Sequence, residues 1–313
     1  AVLGIMTTTG LALKTHDTPL VVHSAVYTRL EDPELVFYDE DEGASVSAVI
    51  LPREDKMLLL INGLRAARLS RNTGPMDLSL GTDVAMLSHA DPGSAFFAGL
   101  GTGRNAGAAG LYPGVEIDAV EISKAVILAI PYFDEYTYNV SRNDRINVIA
   151  GDARHFLQTS DKCYDLIVPD AYISALTGTA YLYNVEFFQL CALHLNPGGR
   201  VIMQIKLNSD IDRTIAAGFL IAFPYVKLVT SPNTGIHFLV AANEEISFPV
   251  LPVTKWQDHA EITKRIQLLG FAESGNLNLR DFSTDVELID VIKAAQASTD
   301  DHPIVDYISA YLK

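Results

Sequence analysis

AFFAGLGTGRNAGAAGLYPGVEIDAVEI, residues 95–122, reads as an apolar strand, a glycine-rich turn, a helix start built of small residues, and a second strand closed by an acid. Gly99, Gly101 and Gly103 form G-x-G-x-G, in which the missing β-carbons let the backbone turn sharply and come close to a ligand. Eighteen residues after Gly103, Glu121 ends the strand read at 117–120, and a carboxylate there can accept both hydrogen bonds of a ribose diol. A plain tight turn accounts for the glycines alone; the flanking strands and the acid favour a nucleotide half-site.

Working outward, VIAGD (148–152) reads as a third strand running into Gly151-Asp152-Ala153-Arg154, and YDLIVPD (164–170) as a fourth strand closed by Asp170. Glu121, Asp152 and Asp170 then stand at the carboxyl ends of strands, where open α/β sheets bind ligands. Ala106 occupies the third position of a dinucleotide fingerprint, but three acids around one crevice suit a cationic adenosyl sulfonium better than a pyrophosphate. Capping of the following helices is the bland alternative for any one of them.

The rest of the chain organises around this centre. Phe37–Tyr38, Ser45–Leu51 and Met57–Ile61 read as short antiparallel strands with turns at 53–56 and 62–63. DPELVFYDEDE (32–42) reads as a solvated loop and strand edge. From about residue 80, strands alternate with helices, which implies a parallel sheet with right-handed crossovers. A fifth strand is expected at 199–205 after the Asn196-Pro197-Gly198-Gly199 stop, then strands at 225–230 and 237–242 as an antiparallel pair; residues 257–297 look mainly helical. The expected fold is α/β, a doubly wound, mainly parallel seven-stranded sheet of Rossmann-like type with a small N-terminal β-sheet domain. The expected divisions are 1–79, a core at 80–245, and a helical extension at 246–313.

Among 313 residues, 23 basic and 38 acidic side chains leave a net charge of −15, which repels phosphate backbones and makes nucleic acid an unsuitable partner. The same balance attracts polycationic amines, although plain solubility explains it equally well. Cys163 and Cys191 offer neither a disulfide framework nor metal-ligand spacing, and the eight histidines form no ligand pair, so no metal is expected. A cytoplasmic location follows most simply. The opening AVLGIMTTTGLAL is apolar but too short to span a bilayer, and it leaves open a membrane-attached or exported domain with an upstream membrane segment.

GLGTGR (99–104), DAVEIS (118–123), DRINVIAGDARHFL (144–157), YDLIVPDAY (164–172), LYNVEFF (182–188) and LNPGGRVIMQ (195–204) occur in an order that resembles the spermidine synthases, or polyamine aminopropyltransferases. These enzymes share the class I S-adenosylmethionine-dependent methyltransferase-like fold. LVFYDEDEGASVSAVILPREDKMLLLINGLRAARL (35–69) resembles the family's N-terminal β-region, and the tail TDDHPIVDY (299–307) resembles bacterial spermidine-synthase-like domains fused to transporter-like segments. The resemblance implies that Gly99, Gly101, Thr102 and Gly103 line the cosubstrate, Glu121 holds its ribose, Asp152 with Ala153 contacts the adenine, and Asp170 is the catalytic base. It implies decarboxylated S-adenosylmethionine or S-adenosylmethionine as cosubstrate, a small amine or polyamine as acceptor, and a homodimer formed through the N-terminal sheet.

Three departures bear on specificity. Thr102 stands where the family's loop carries an Asp for the cosubstrate's amino group, Ile173 replaces an amine-anchoring Asp, and RNTGPMDLSL (71–80) has neither aromatic nor His. Tyr172, Tyr181 and Tyr183 are candidates for a reshaped acceptor pocket, with half-buried packing as the alternative. Three functions stay open: aminopropyl transfer releasing methylthioadenosine, methyl transfer from S-adenosylmethionine, and a non-catalytic nucleoside-binding or assembly domain.

Overall fold

The computed structural model of the chain describes residues 27–42, 44–70, 79–170, 179–205, 210–249, 251–270, 272–273, 276–277, 295 and 297–301. The opening segment, most of the 71–80 stretch, and Tyr172 with Ile173 lie outside the described residues.

Four antiparallel strands, β1 (Glu34–Glu40), β2 (Ser45–Leu51), β3 (Lys56–Ile61) and β4 (Leu64–Ser70), form a sheet in sequential order. Seven strands form the second sheet: β5 (Ser94–Ala98), β6 (Glu116–Glu121), β7 (Ile146–Ala150), β8 (Tyr164–Pro169), β9 (Leu195–Ile205), β10 (Tyr225–Thr230) and β11 (His237–Ala242). Their order is β10-β11-β9-β8-β5-β6-β7, all running in one direction except β11, which is antiparallel to both of its neighbours, β9 and β10. The fold is therefore α/β, with a mostly parallel seven-stranded sheet and a separate small antiparallel N-terminal sheet. The order reverses at β5, which has β6 on one side and β8 on the other, and such a switch point opens a crevice at the strands' carboxyl ends.

Strand alternation sends neighbouring residues to opposite faces of this sheet. Phe97, Leu166, Val168 and Ile202 pack on one side with α1 (Leu80–Ser88), α2 (Arg104–Ala109) and α7 (Ala260–Leu269). Phe96, Ile167, Val201 and Met203 pack on the other with α4 (Ala153–Thr159), α5 (Val185–Leu193) and α6 (Asp210–Ala222). Helix α3 (Lys124–Phe133) buries Ala125, Val126, Ala129 and Phe133 against Val46, Ala48, Met57 and Leu59 of the N-terminal sheet. Asp41 fixes this junction, since its carboxylate accepts hydrogen bonds from the Ser123 hydroxyl (2.6 Å) and the Ala125 N–H (3.2 Å) at the start of α3. The acidic stretch read as a solvated loop and strand edge thus supplies the edge strand β1 and, in Asp41, a helix-capping group as well.

Several boundaries differ from the sequence reading for local reasons. Strand β7 ends at Ala150 because Asp152 is the N-cap of α4, accepting the His155 N–H at 2.8 Å. Strand β9 begins at Leu195 because the Asn-Pro-Gly-Gly run is absorbed as a bulge between the Tyr164–Leu195 and Leu166–Arg200 pairs, a position where proline is tolerated. Within the stretch expected to be mainly helical, 257–297, α7 stops at Leu269, and residues 278–294 lie outside the described residues. Gly270, at φ +78°, donates its N–H to the Ile266 and Gln267 carbonyls, and the short strands Ala272–Glu273 and Asn276–Leu277 follow.

One buried ion pair ties α7 to the helix that opens the core. Arg265 is 1% exposed, Asp83 of α1 is fully buried, and they meet at 2.6 and 3.0 Å. Arg265 also donates to the Ser79 carbonyl and hydroxyl and to the Tyr138 hydroxyl, while Tyr112 donates to Asp83 at 2.8 Å. Removing one partner strands the other charge in the core. We expect Arg265→Met to lower the unfolding free energy by about 3–5 kcal/mol, measured by urea denaturation.

Candidate active site

The crevice at the switch point is a cleft of about 490 Å³. Its floor is the loop after β5, with the ends of β8 and β9 on one side and the start of α1 on the other. Ala66–Leu69 of the N-terminal sheet and Ile211, Asp212 and Ile215 of α6 complete its walls. Gly99, Gly101 and Gly103 have φ of +105°, +54° and +82°, the region L side chains rarely adopt. At Gly101 a β-carbon would meet no atom within 4 Å, so backbone conformation is what demands glycine there, and the space above it is open to a ligand.

Glu121 organises this loop. One carboxylate oxygen accepts the N–H groups of Leu100 (3.0 Å) and Gly101 (3.3 Å), and the other accepts the Ser123 N–H (3.0 Å). Its own carbonyl accepts the Gly151 N–H at 2.9 Å, which draws the Gly151-Asp152-Ala153 turn alongside. Thr102 and Ala153 are buried, whereas the Asp152 side chain is exposed and one of its oxygens caps α4. Tyr183 is buried and lines the cleft; Tyr181 is 45% exposed and does not.

Asp170 directly follows β8, its N–H bonded to the Ala98 carbonyl at 2.9 Å across the switch point. Its carboxyl lines the cleft, and burial there pushes its pKa up to about 7; the hydrogen bond from Asn105 opposes the rise and the nearby Glu121 charge adds to it. The Asn105 amide donates to the Asp170 carboxylate at 2.6 Å. A carboxylate half-ionised near neutrality can exchange a proton with a bound amine.

Asn105 escaped the sequence reading, because an amide in the first turn of α2 carries no periodic or spacing signal. Arg104, Arg68, Gln204 and Asp212 also line the cleft without having been singled out. Its described walls thus carry, beside the carboxylates of Asp170 and Asp212, guanidinium groups that the reading of three acids around the crevice did not include. Among the described residues, no group of three or more His, Cys, Asp or Glu side chains converges.

The raised pKa of Asp170 has a consequence for stability. Between about pH 4 and pH 7 the folded protein holds this proton more tightly than the unfolded chain, so Asp170 makes stability fall as pH rises through that window. Asp170→Asn is expected to gain stability relative to the parent between pH 4 and pH 7, with a constant difference above it. Urea unfolding at several pH values checks this.

The sequence profile of the spermine/spermidine synthase domain matches residues 85–244, just over half of the chain. A polyamine aminopropyltransferase 2 of Hyperthermus butylicus is 29% identical over 140 residues, 42% of this chain and 45% of that protein. A polyamine aminopropyltransferase of Streptococcus uberis is 28% identical over 55% of this chain and 59% of its own length. A probable polyamine aminopropyl transferase of Bifidobacterium longum is 36% identical over 37% of this chain and 25% of its own length. The chain thus spans from a quarter to under two thirds of these curated relatives. Among solved structures, spermidine synthase from Thermotoga maritima superposes with a TM-score of 0.59 at 15% identity, covering 88% of each chain. A probable spermidine synthase from Corynebacterium glutamicum gives 0.57 at 19% identity over 84% of this chain and 95% of that one. At such identities the superpositions establish the fold, and with the sequence match across the switch-point core they place this chain in the spermine/spermidine synthase family.

Proposed function

We propose that the chain transfers an aminopropyl group from decarboxylated S-adenosylmethionine to an amine or polyamine and releases methylthioadenosine. The observation that carries this reading is Asp170, a carboxyl group with its pKa near neutrality, held by Asn105 beside the Gly101–Thr102 turn. In the proposed reaction a protonated amine enters and Asp170 takes its proton. The freed nitrogen lone pair attacks the methylene carbon next to the sulfonium. The carbon–sulfur bond breaks with its electron pair going to sulfur, and neutral methylthioadenosine leaves. Alignment of nucleophile and leaving group supplies much of the acceleration.

Glu121 is assigned to the ribose diol. Its oxygens already accept three backbone N–H groups, and two carboxylate oxygens offer about four acceptor directions, so capacity remains for one of the diol's two hydroxyls. Gly99, Gly101 and Gly103 line the cosubstrate, Asp152 and Ala153 take the adenine, and Tyr183, with Tyr172 outside the described residues, belongs to the acceptor side. The reading includes a homodimer and a cytoplasmic setting; the free thiols Cys163 and Cys191 suit a reducing compartment. No helix among the described residues is long and apolar enough to cross a membrane.

A second reading has one observation in its favour. Arg104 lines the cleft two residues from Thr102, the position where the resemblance calls for an Asp facing an amino group, and a guanidinium there suits a carboxylate. That favours intact S-adenosylmethionine as cosubstrate, with methyl transfer as its chemistry. Mass spectrometry of the nucleoside formed from each cosubstrate, with a mixture of di- and polyamines, separates the two. Amine-dependent methylthioadenosine from the decarboxylated form is the expected product, abolished in Asp170→Asn while cosubstrate binding persists. S-adenosylhomocysteine from the intact form would establish the second reading. In Asn105→Ala, loss of the donor that favours ionised Asp170 should shift the acid limb of the pH–rate profile to higher pH, visible in kcat/KM between pH 6 and 9.

A further inference from the structure

Far from the cleft in sequence, residues 298–301 lie across the N-termini of two helices, α4 after the Gly151-Asp152-Ala153 turn bonded to Glu121 and α5 after Tyr183 of the cleft. Ser298 is 1% exposed, and its carbonyl accepts the Val185 N–H at 3.0 Å. Asp300 receives a two-pronged hydrogen bond from Arg154, at 2.7 and 2.6 Å, and a third from the Asn184 amide at 2.5 Å. The Asp300 N–H in turn donates to the Glu186 carboxylate at 3.0 Å.

The residues joined in this way are neighbours of the site on both sides. Arg154 follows the Gly151-Asp152-Ala153 turn that is bonded to Glu121. Asn184 follows Tyr183, and its own side-chain oxygen caps α5 by accepting the Phe187 N–H at 3.0 Å. A single exposed ion pair contributes little to stability. Here the pairing is bidentate, shares a third donor and is anchored by a buried serine, so its geometric effect exceeds that of an isolated surface pair.

We propose that residues 298–301 form a strap that holds the nucleoside-side turn and the Tyr183 side of the cleft in register, with Asp300 as the positioning residue. The proposal rests on the aminopropyltransferase reading for the identity of the two substrates. Asp300 touches neither substrate; it acts through Arg154 and Asn184. Removing the bridge frees both the Gly151-Asp152-Ala153 turn and the Tyr183 segment, whereas removing one arm frees only one. Proton transfer at Asp170 is left untouched.

The test is steady-state kinetics on Asp300→Ala, Arg154→Ala and Asn184→Ser, the last keeping a capping oxygen on a side chain too short to hold Asp300 and adding no charge beside it. Asp300→Ala should raise KM for both the decarboxylated cosubstrate and the amine about fivefold or more, with the pH midpoint of kcat unchanged. Arg154→Ala should raise the cosubstrate KM alone, and Asn184→Ser the amine KM alone. A lower melting temperature with both KM values unchanged in Asp300→Ala would overturn the strap.

If the parent protein shows no turnover, calorimetric titration with methylthioadenosine replaces the kinetics. Weaker binding by Asp300→Ala supports the proposal, and equal binding overturns it. A parent that binds no methylthioadenosine refutes the nucleoside-transfer reading itself. The strap is then judged by hydrogen exchange in Asp300→Ala: joint acceleration at residues 153–157 and 185–188 supports it, and acceleration confined to 297–301 overturns it.

Discussion

A glycine-rich turn that leaves its backbone N–H groups pointing inward needs an acceptor, and in this protein the Glu121 carboxylate is that acceptor. By binding Leu100, Gly101 and Ser123 at once, it joins the end of β6 to the loop after β5 and to the start of α3. Unpaired buried N–H groups cost enough that the loop conformation and the acid require each other. The open space above Gly101, the approach of the Gly151 turn and the position of Asp170 across the switch point all depend on this arrangement. A residue assigned to hold a ribose is thus also the residue that shapes the place where the ribose would lie.

Asp170 depends on the same architecture through electrostatics. Burial disfavours its charge, the charge of Glu121 disfavours it further, and the Asn105 amide opposes both. The balance lies near neutrality, where a proton acceptor for an ammonium group is most useful. Asn105 can reach Asp170 because α2 starts directly from Gly103, so the turn that exposes backbone to a ligand also aims the first turn of the helix at the base.

The parts outside the parallel sheet have specific tasks in forming the cleft. The N-terminal sheet supplies Ala66–Leu69 as one wall and is fastened by Asp41 at the N-terminus of α3. Helix α7 reaches the opposite wall through Arg265, which holds Asp83 and Ser79 at the beginning of α1. Ser79 and Thr82 then face the cavity. The buried pair costs desolvation, and what it secures is the placement of α1 rather than a gain in burial.

Much of this was legible in the chain. Strand periodicity, the three glycines and the acids at 121, 152 and 170 led to the parallel core, and β10 and β11 run over the residues expected of them. Local features of this kind are readable because φ preferences, alternation and capping depend on a few adjacent residues. The same locality explains the misreadings: Asp152 served a helix cap instead of ending a strand, and the Asn-Pro-Gly-Gly run became a bulge within β9. The sequence by itself determined the order of elements and the positions at which acids meet the sheet's carboxyl edge. Only the tertiary structure decided that Asn105 holds Asp170, that Arg265 meets Asp83 from 182 residues away, and that Asp300 bridges Arg154 and Asn184. Such pairs depend on how helices settle across a sheet, and no local pattern encodes which distant polar groups that packing brings within hydrogen-bonding distance.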